Sequence, residues 1–359
     1  GTITGTAGPG ATNILTQGTT ASAAGCALSG AITNGPNGGK VALTQTKGTL
    51  ILSGANTYGG VTTVNGGSTL QSGATDTLPV TGAVVLGGTS GAGNLALGAF
   101  SQTIASLTAV SKDPAATNLV SIAPGQALVI NGASGLFVGL ETNSTTQVKM
   151  SGGGSLVVTN AAANVTVGKS QPSEATSSSS TLDLSQLSSA TLGSSAAPLN
   201  EVRVAYGQLN SGTLILAATN VITATALQVG NSLQLNAGTG TLILGAGANS
   251  LTVNTINIGY YKGIATVKFA SQAAGSPGTV TIGGKTRSTT DLTIGSKGAM
   301  PSGAVPTGTL DLRGHSANVT AGTVTIGRED NGTGSPFTGG AAGYLFFDNG
   351  AFTATNLVM

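Results

Sequence analysis

Gly212-Thr213-Leu214-Ile215-Leu216, Gly240-Thr241-Leu242-Ile243-Leu244 and Gly308-Thr309-Leu310-Asp311-Leu312 are three settings of one phrase, and their recurrence decides the fold. Each opens a segment that closes on a second phrase: Leu227-Gln228-Val229-Gly230, Ile256-Asn257-Ile258-Gly259 and Val324-Thr325-Ile326-Gly327. A further copy opens at Gly343-Tyr344-Leu345-Phe346-Phe347. Earlier echoes are Ser155-Leu156-Val157-Val158 with Val165-Thr166-Val167-Gly168, and Thr181-Leu182-Asp183-Leu184. On a strand, Leu310 and Leu312 face one way while Thr309, Asp311 and Arg313 face the other. A lone unit of this kind cannot bury its apolar row. Stacked as coils, such units bury it in one continuous core. The closing glycine permits a tight corner between coil faces.

A flat two-sheet sandwich is the competing all-β arrangement, but it does not require the same strand-and-corner phrase to recur. The repeats therefore predict an all-β, right-handed parallel β-helix (β-solenoid) with irregular loop insertions, such as residues 170–180 and 270–278. The whole chain, 1–359, reads as a single continuous solenoid. Residues 1–46 are expected to cap it or to assist assembly, and 111–359 to form further degenerate coils. With roughly 20–25 residues per coil and about 4.8 Å between coils, the expected rod is about 70–80 Å long.

Composition points the same way. Charged residues make up 7% of the chain, against about 25% in an ordinary globular domain. Hydrophobic residues make up 39% and the net charge is +2, so the signature of disorder is absent. Gly, Thr, Ser, Ala, Val and Asn dominate, a vocabulary of short strands and turns rather than of helices. The 13 basic residues are spread thinly, which argues against a nucleic-acid partner and against a polybasic membrane contact. No apolar run is long enough for membrane insertion as a helix. Cys26 is the only cysteine, so no internal disulfide forms. Ala23-Ala24-Gly25-Cys26 lacks the leucine and the preceding apolar segment of a lipoprotein cleavage box, and Cys26 reads as a partly buried or tolerated thiol. Strand-like pattern continues to Met359, and both ends read as cut from something longer.

The stretch Gly48-Thr49-Leu50-Ile51-Leu52-Ser53-Gly54-Ala55-Asn56-Thr57-Tyr58-Gly59-Gly60-Val61-Thr62-Thr63-Val64-Asn65-Gly66-Gly67-Ser68-Thr69-Leu70 resembles the autotransporter-associated β-strand repeat. Asn94-Leu95-Ala96-Leu97-Gly98-Ala99-Phe100-Ser101-Gln102-Thr103-Ile104-Ala105-Ser106-Leu107 is similar to the ending of the same repeat. The resemblance is clearest over residues 47–110, about one sixth of the chain. It implies a right-handed β-helix passenger, exported across a bacterial envelope to the cell surface or the extracellular space. The amphipathic barrel that translocates such passengers does not follow in this chain. Passengers of the family differ in function, so the fold alone does not assign one.

Candidate chemistry is sparse. Asp311, Arg313 and His315, the only histidine, fall at i, i+2 and i+4, which places all three on one outward face if the strand continues. Such a trio suits proton transfer, or is a solvated strip in which Arg313 pairs with Asp348. Tyr260-Tyr261 is the only tyrosine pair, and alternation would expose one and bury the other. Glu329-Asp330 reads as a solvated turn. No nucleophile elbow, phosphate-cradling loop, Asp-rich calcium loop or metal-ligand spacing occurs. Neither a cofactor nor a metal is expected, and no residue is assigned a catalytic role.

The predicted outer face is rich in hydroxyl and amide groups and poor in the charges that keep sheet edges apart. These features lead to the expectation of a non-enzymatic, self-associating surface protein, a homo-oligomer, fibre, coat or matrix, with a host surface or glycan as a further partner. A glycan-binding or glycan-cleaving β-helix, of the lyase, hydrolase or tailspike kind, is the alternative and would require two carboxyls facing each other across a groove. A third reading is a passive scaffold for a domain outside this chain.

Overall fold

The computed structural model describes every residue except 19–24, 89–90, 140–143, 170–176, 208, 233–236, 298–304 and 330–339. Among the described residues there is no helix. The strands stack in parallel into a three-faced β-solenoid. The first face is a 12-stranded sheet running from Cys26–Leu28 at one end to Ala342–Phe346 at the other. The second and third faces belong to one 16-stranded sheet, because long strands bend across both. Thr219–Ser232, for example, pairs first with Ser189–Leu192 on the second face and then with Leu199–Tyr206 on the third.

Each face contributes a vertical column of inward side chains. On the first, Leu182, Leu214, Leu242, Val267 and Leu310 lie in register on successive coils. The second stacks Ile130, Val158, Leu192, Ile222, Leu251, Ile282 and Val319. The third stacks Leu107, Leu136, Val165, Val202, Leu227, Ile256, Leu292 and Val324. All are buried, and they join one core cluster from Ile32 to Val324. Each fully buried Val, Leu or Ile contributes about 1.5–3 kcal/mol relative to exposure. Parallel pairing satisfies the backbone between coils, so the core needs no disulfide.

Where coils turn, buried amides replace aliphatic side chains. Asn220 Nδ2 donates to Asn249 Oδ1 on the next coil (2.8 Å) and to Ala217 O (2.8 Å), while Asn220 Oδ1 accepts from Ala217 N (3.0 Å). Gln102 does the same work nearer the N-terminus, accepting from Leu78 N and donating to Ala74 O. A buried amide that was left unpaired would cost about 1–3 kcal/mol. Here both ends are paired, and the corner gains a fixed geometry.

The opening and closing phrases of the sequence meet in space. Gly295, which closes one coil, lies at φ 61, and a Cβ there would stand 1.8 Å from Ala342 O on the first face of the coil after next. Gly308, which opens a coil, would place a Cβ 2.3 Å from Gly295 N. The two glycines therefore let the third face of one coil pass close beneath the first face of the next. Ala205 occupies the closing position in its own coil at φ 55, a left-handed conformation that costs a non-glycine residue about 1–2 kcal/mol.

Two expectations need correction. Ser155–Val158 pairs with Ala127–Val138 and Ser189–Leu192, so it lies on the second face and is not an opening phrase. Coils are also longer than expected. Leu50 pairs with Leu70, but Val267 pairs with Leu310, more than twice as far along the chain. Twelve first-face strands at about 4.8 Å spacing give a stack of about 50–55 Å, shorter than the 70–80 Å expected from uniform coils. Every segment outside the described residues falls between a third-face strand and the next first-face strand. Length variation in the chain is thus concentrated at one corner.

Candidate functional site

Asp311, Arg313 and His315 do not share an outward face. The first-face strand Thr307–Asp311 ends there, and Gly314 at φ 79 turns the chain. Asp311 is buried, with Arg313 clamped across it: Nε donates to Oδ1 at 2.9 Å and Nη2 to Oδ2 at 2.6 Å. The guanidinium hydrogen bonds hold the Asp311 carboxyl below the usual carboxylate range, against the opposing effect of its burial. The Arg313 guanidinium lies over the Phe346 ring at 4.3 Å. Asp348, the expected partner of Arg313, instead accepts the Gly314 N–H at 3.0 Å.

His315 is buried, 2% exposed, and stacked on Phe269 with ring centroids 3.7 Å apart. Its Nε2 lies 2.6 Å from Ser271 O and its Nδ1 3.2 Å from Gly278 O. A neutral imidazole has one N–H and serves one of these carbonyls, whereas the protonated ring serves both. The ring therefore fastens the 270–278 insertion to the coil end. It is positioned to hold a loop rather than to meet a substrate.

Tyr260 and Tyr261 are both half-buried, with ring centroids 4.1 Å apart. Alternation fails because Tyr261 lies at φ 57, which rotates its side chain back toward that of its neighbour. Cys26 is exposed, on the edge strand of the first face, rather than partly buried. Glu329 is not simply solvated: its Oε1 sits 3.4 Å from Lys297 Nζ. Asp330 lies outside the described residues.

Two features escaped the sequence reading. Lys262 and Lys297 are buried just after the third face ends. Burial lowers the Lys262 pKa, helped by repulsion from Lys297. The second feature is a groove of about 540 Å³ at the same corner, lined by Ser144, Thr145, Ser177, Ser178, Ser179, Leu209, Asn210, Ser211, Ala237 and Thr239. It spans four coils where they enter the first face. Backbone bonds lace its wall: Ser179 N donates to Ser144 O (2.9 Å), Ser178 N to Leu209 O (3.2 Å) and Leu209 N to Ala237 O (3.2 Å). Ser211 Oγ donates to Ser179 Oγ at 3.1 Å. Ser178 Oγ and Asn210 Oδ1 are buried and have no hydrogen-bond partner among the described residues. Leu209 is held at φ 52, a strained setting for a bulky side chain. The only sequence signal for the groove was the serine run Ser177–Ser180, which reads as loop until four coils are stacked.

Among the described residues, no group of three His, Cys, Asp or Glu side chains is arranged to hold a metal, and no helix is long and apolar enough to cross a membrane. Fold and site together define a class: a parallel β-solenoid elaborated at one corner, with a groove there that is lined, among the described residues, mainly by hydroxyl and amide side chains. No protein-family model matches the chain, and neither the curated proteins nor the solved structures contain a match.

Proposed function

We propose that this chain is an extracellular structural or adhesive protein of a bacterial surface, a self-associating solenoid rather than an enzyme. The observation that carries this reading is the fate of the carboxylates. Asp76, Asp113 and Asp183 each accept a nearby or next-coil backbone N–H. Glu201 pairs with Arg203, Asp291 with Arg287, Asp311 with Arg313 and Glu329 with Lys297. Asp348 holds the Gly314 N–H. Every acid among the described residues thus has a local structural task. The resemblance of residues 48–70 to autotransporter-associated repeats supports export and display.

Self-association is supported by the edges and by the faces. Thr12–Gln17 and Gly350–Val358 pair on one side only among the described residues, and Ile14 (66%) and Leu357 (60%) are exposed on them. Such an edge accepts a further strand, from a second copy or from more coils of the same polypeptide. Outward Thr, Ser and Asn outnumber the charges on the long faces, which include Lys149, Asp183 and Lys268 on the first face and Glu201 and Arg203 on the third.

The glycan-cleaving reading has one observation in its favour, because Asp311 and Asp348 both act electrostatically on Arg313. A glycosidase needs one carboxyl with a raised pKa as its acid. The Asp311 carboxyl is lowered, so this pair is better suited to holding the turn. Electron microscopy with sedimentation of the purified chain tests the proposal. Filaments, sheets or concentration-dependent association support it. Separate rods of about 50–55 Å that stay monomeric at high concentration, together with cleavage of any polysaccharide, would replace it with the alternative.

A further inference from the structure

We infer that the outer surface of the first face is a two-fold, self-complementary interface on which a second copy of this chain docks with its coil stack reversed. The inference rests on the self-association proposed above, and names the surface and the register through which it occurs.

The pattern lies in one outward column. It runs near the C-terminal ends of the first-face strands, away from the corner at which the segments outside the described residues fall. Strand by strand it reads Lys149, Asp183, Ile215, Ile243, Lys268 and Asp311, all in register. Leu119 precedes Lys149 and Phe346 follows Asp311, and these two are 43% and 37% exposed. Consider a two-fold axis parallel to the strands, over the gap between Ile215 and Ile243. It reverses the stacking direction and keeps position along a strand. Ile215 then meets Ile243 of the second copy, Asp183 meets Lys268, Lys149 meets Asp311, and Leu119 meets Phe346. The neighbouring outward column holds Thr181, Thr213, Thr241 and Thr266, and the same operation sets hydroxyl against hydroxyl.

Other registers lose this match. A slip of one strand sets Asp183 against Asp311 in one direction and Lys149 against Lys268 in the other. Like charges opposed across an interface select against a register. An axis along the stack instead sets the charged column against Ser179, Ser211, Thr239 and Ile264, which leaves its charges desolvated without partners.

The charges are free to take these roles. Lys149, Asp183 and Lys268 form no ion pair among the described residues, and Asp183 Oδ1 accepts the Ser185 N–H at 2.9 Å. Asp311 is already clamped by Arg313, so the Asp183–Lys268 pairs flanking the isoleucines carry most of the selectivity. A strip of eight strands at about 4.8 Å spacing and about 14 Å wide covers about 500 Å² per copy, the lower end for a specific interface. The expected affinity is roughly micromolar or weaker. A two-fold contact closes on itself, so it yields a dimer, and any growth into a fibre runs through the strand edges.

The test is sedimentation equilibrium of the intact chain from about 1 to about 500 µM, the range in which such an affinity is read. Asp183→Lys and Lys268→Asp each oppose like charges at two places in a homodimer. Each is expected to raise the dimer dissociation constant by about tenfold or more. An equimolar mixture of the two variants opposes unlike charges again at both places, and its mixed dimer is expected within about threefold of the native affinity. Thr191→Lys, an outward change on the second face, should leave dimerisation unchanged. Thermal unfolding of each variant checks the fold. If Asp183→Lys fails to fold for want of its Ser185 bond, Ile243→Asp carries the test, since it sets a carboxylate against Ile215 and is expected to weaken dimerisation about as much. Undiminished association in the charge-reversed variants, or a mixture that binds no better than either variant alone, overturns this interface and leaves self-association standing. A native chain that stays monomeric to about 500 µM overturns both.

Discussion

The corner after Val64 and the corner after Ile294 make the same turn, from third face to first, by different means. After Val64 the chain needs only Asn65, Gly66, Gly67 and Ser68 before Thr69 begins the next first-face strand. Buried Ser68 Oγ donates to Asn65 O at 2.6 Å and to Gln45 O at 3.0 Å on the preceding coil. After Ile294 the chain runs from Gly295 to Pro306, through 298–304, before Thr307 resumes the face. Inward columns are uninterrupted at both places. Strand columns thus conserve the stack while the corner absorbs the differences.

That comparison breaks most sharply at a glycine. Gly295→Val is expected to cost roughly 4–5 kcal/mol or more, because its Cβ would lie 1.8 Å from Ala342 O and the residue sits at φ 61. Gly67 has φ 75 but no atom within 4 Å of the Cβ position. Gly67→Ala should therefore cost only the conformational term, about 1–2 kcal/mol. Urea unfolding of the two variants separates close approach from backbone strain. Equal losses would mean that the Ile294 corner is looser than described.

The columns should show no regional difference. Leu70→Ala and Leu242→Ala remove buried inward side chains of the first face, one from the short-coil half and one from the long-coil half, and each is expected to cost about 2–5 kcal/mol. A much smaller loss at Leu242 would indicate that the long-coil half unfolds independently. These columns were legible in the sequence because Leu214-Ile215-Leu216 and its relatives alternate with period two, and the facing glycines because they frame the copies that open at Gly212, Gly240 and Gly308. Coil number was not legible, since insertions such as 298–304 carry no strand pattern to count. His315 was misplaced because Gly314 can be read as strand or turn, and only its positive φ decides between them. The groove was hidden for a different reason: it is made by residues on four coils, and no local pattern joins Ser144 to Thr239.

Charge separates the two regions at acid pH. The carboxyls of Asp291 and Asp311, both in the long-coil half, have lowered pKa values. Burial raises that of Asp291, but hydrogen bonds from Arg287 and Thr323 N outweigh it, while that of Asp311 is lowered chiefly by Arg313. A carboxylate with a depressed folded pKa stabilises above its unfolded value, about 3.9, and that contribution is lost as pH falls below it. With Arg313 half in solvent, Asp311→Asn is expected to cost about 0.5–1 kcal/mol at neutral pH and less at pH 2. Thermal unfolding at both pH values would show it, and an equal cost at pH 2 would point to packing instead of charge.

The smallest expected effect is a gain. Ala205 stands where other coils close with a glycine such as Gly230, Gly259 or Gly295, and it holds φ 55. The opening residue of the next coil is glycine here too, Gly212, whose Cβ position would lie 2.5 Å from Ala205 N, as that of Gly240 would lie 2.4 Å from Gly230 N. Space is therefore made on one side of the corner, while the backbone strain on the other side remains. Ala205→Gly removes about 1–2 kcal/mol of left-handed strain but adds unfolded-state entropy worth about 0.5–1 kcal/mol. A net stabilisation of a few tenths to about 1 kcal/mol should result, read as a higher urea midpoint at unchanged slope. A loss would show that the Ala205 methyl, itself fully buried, packs well enough to outweigh its strain, and that the corner tolerates a second residue type by filling space rather than by leaving it.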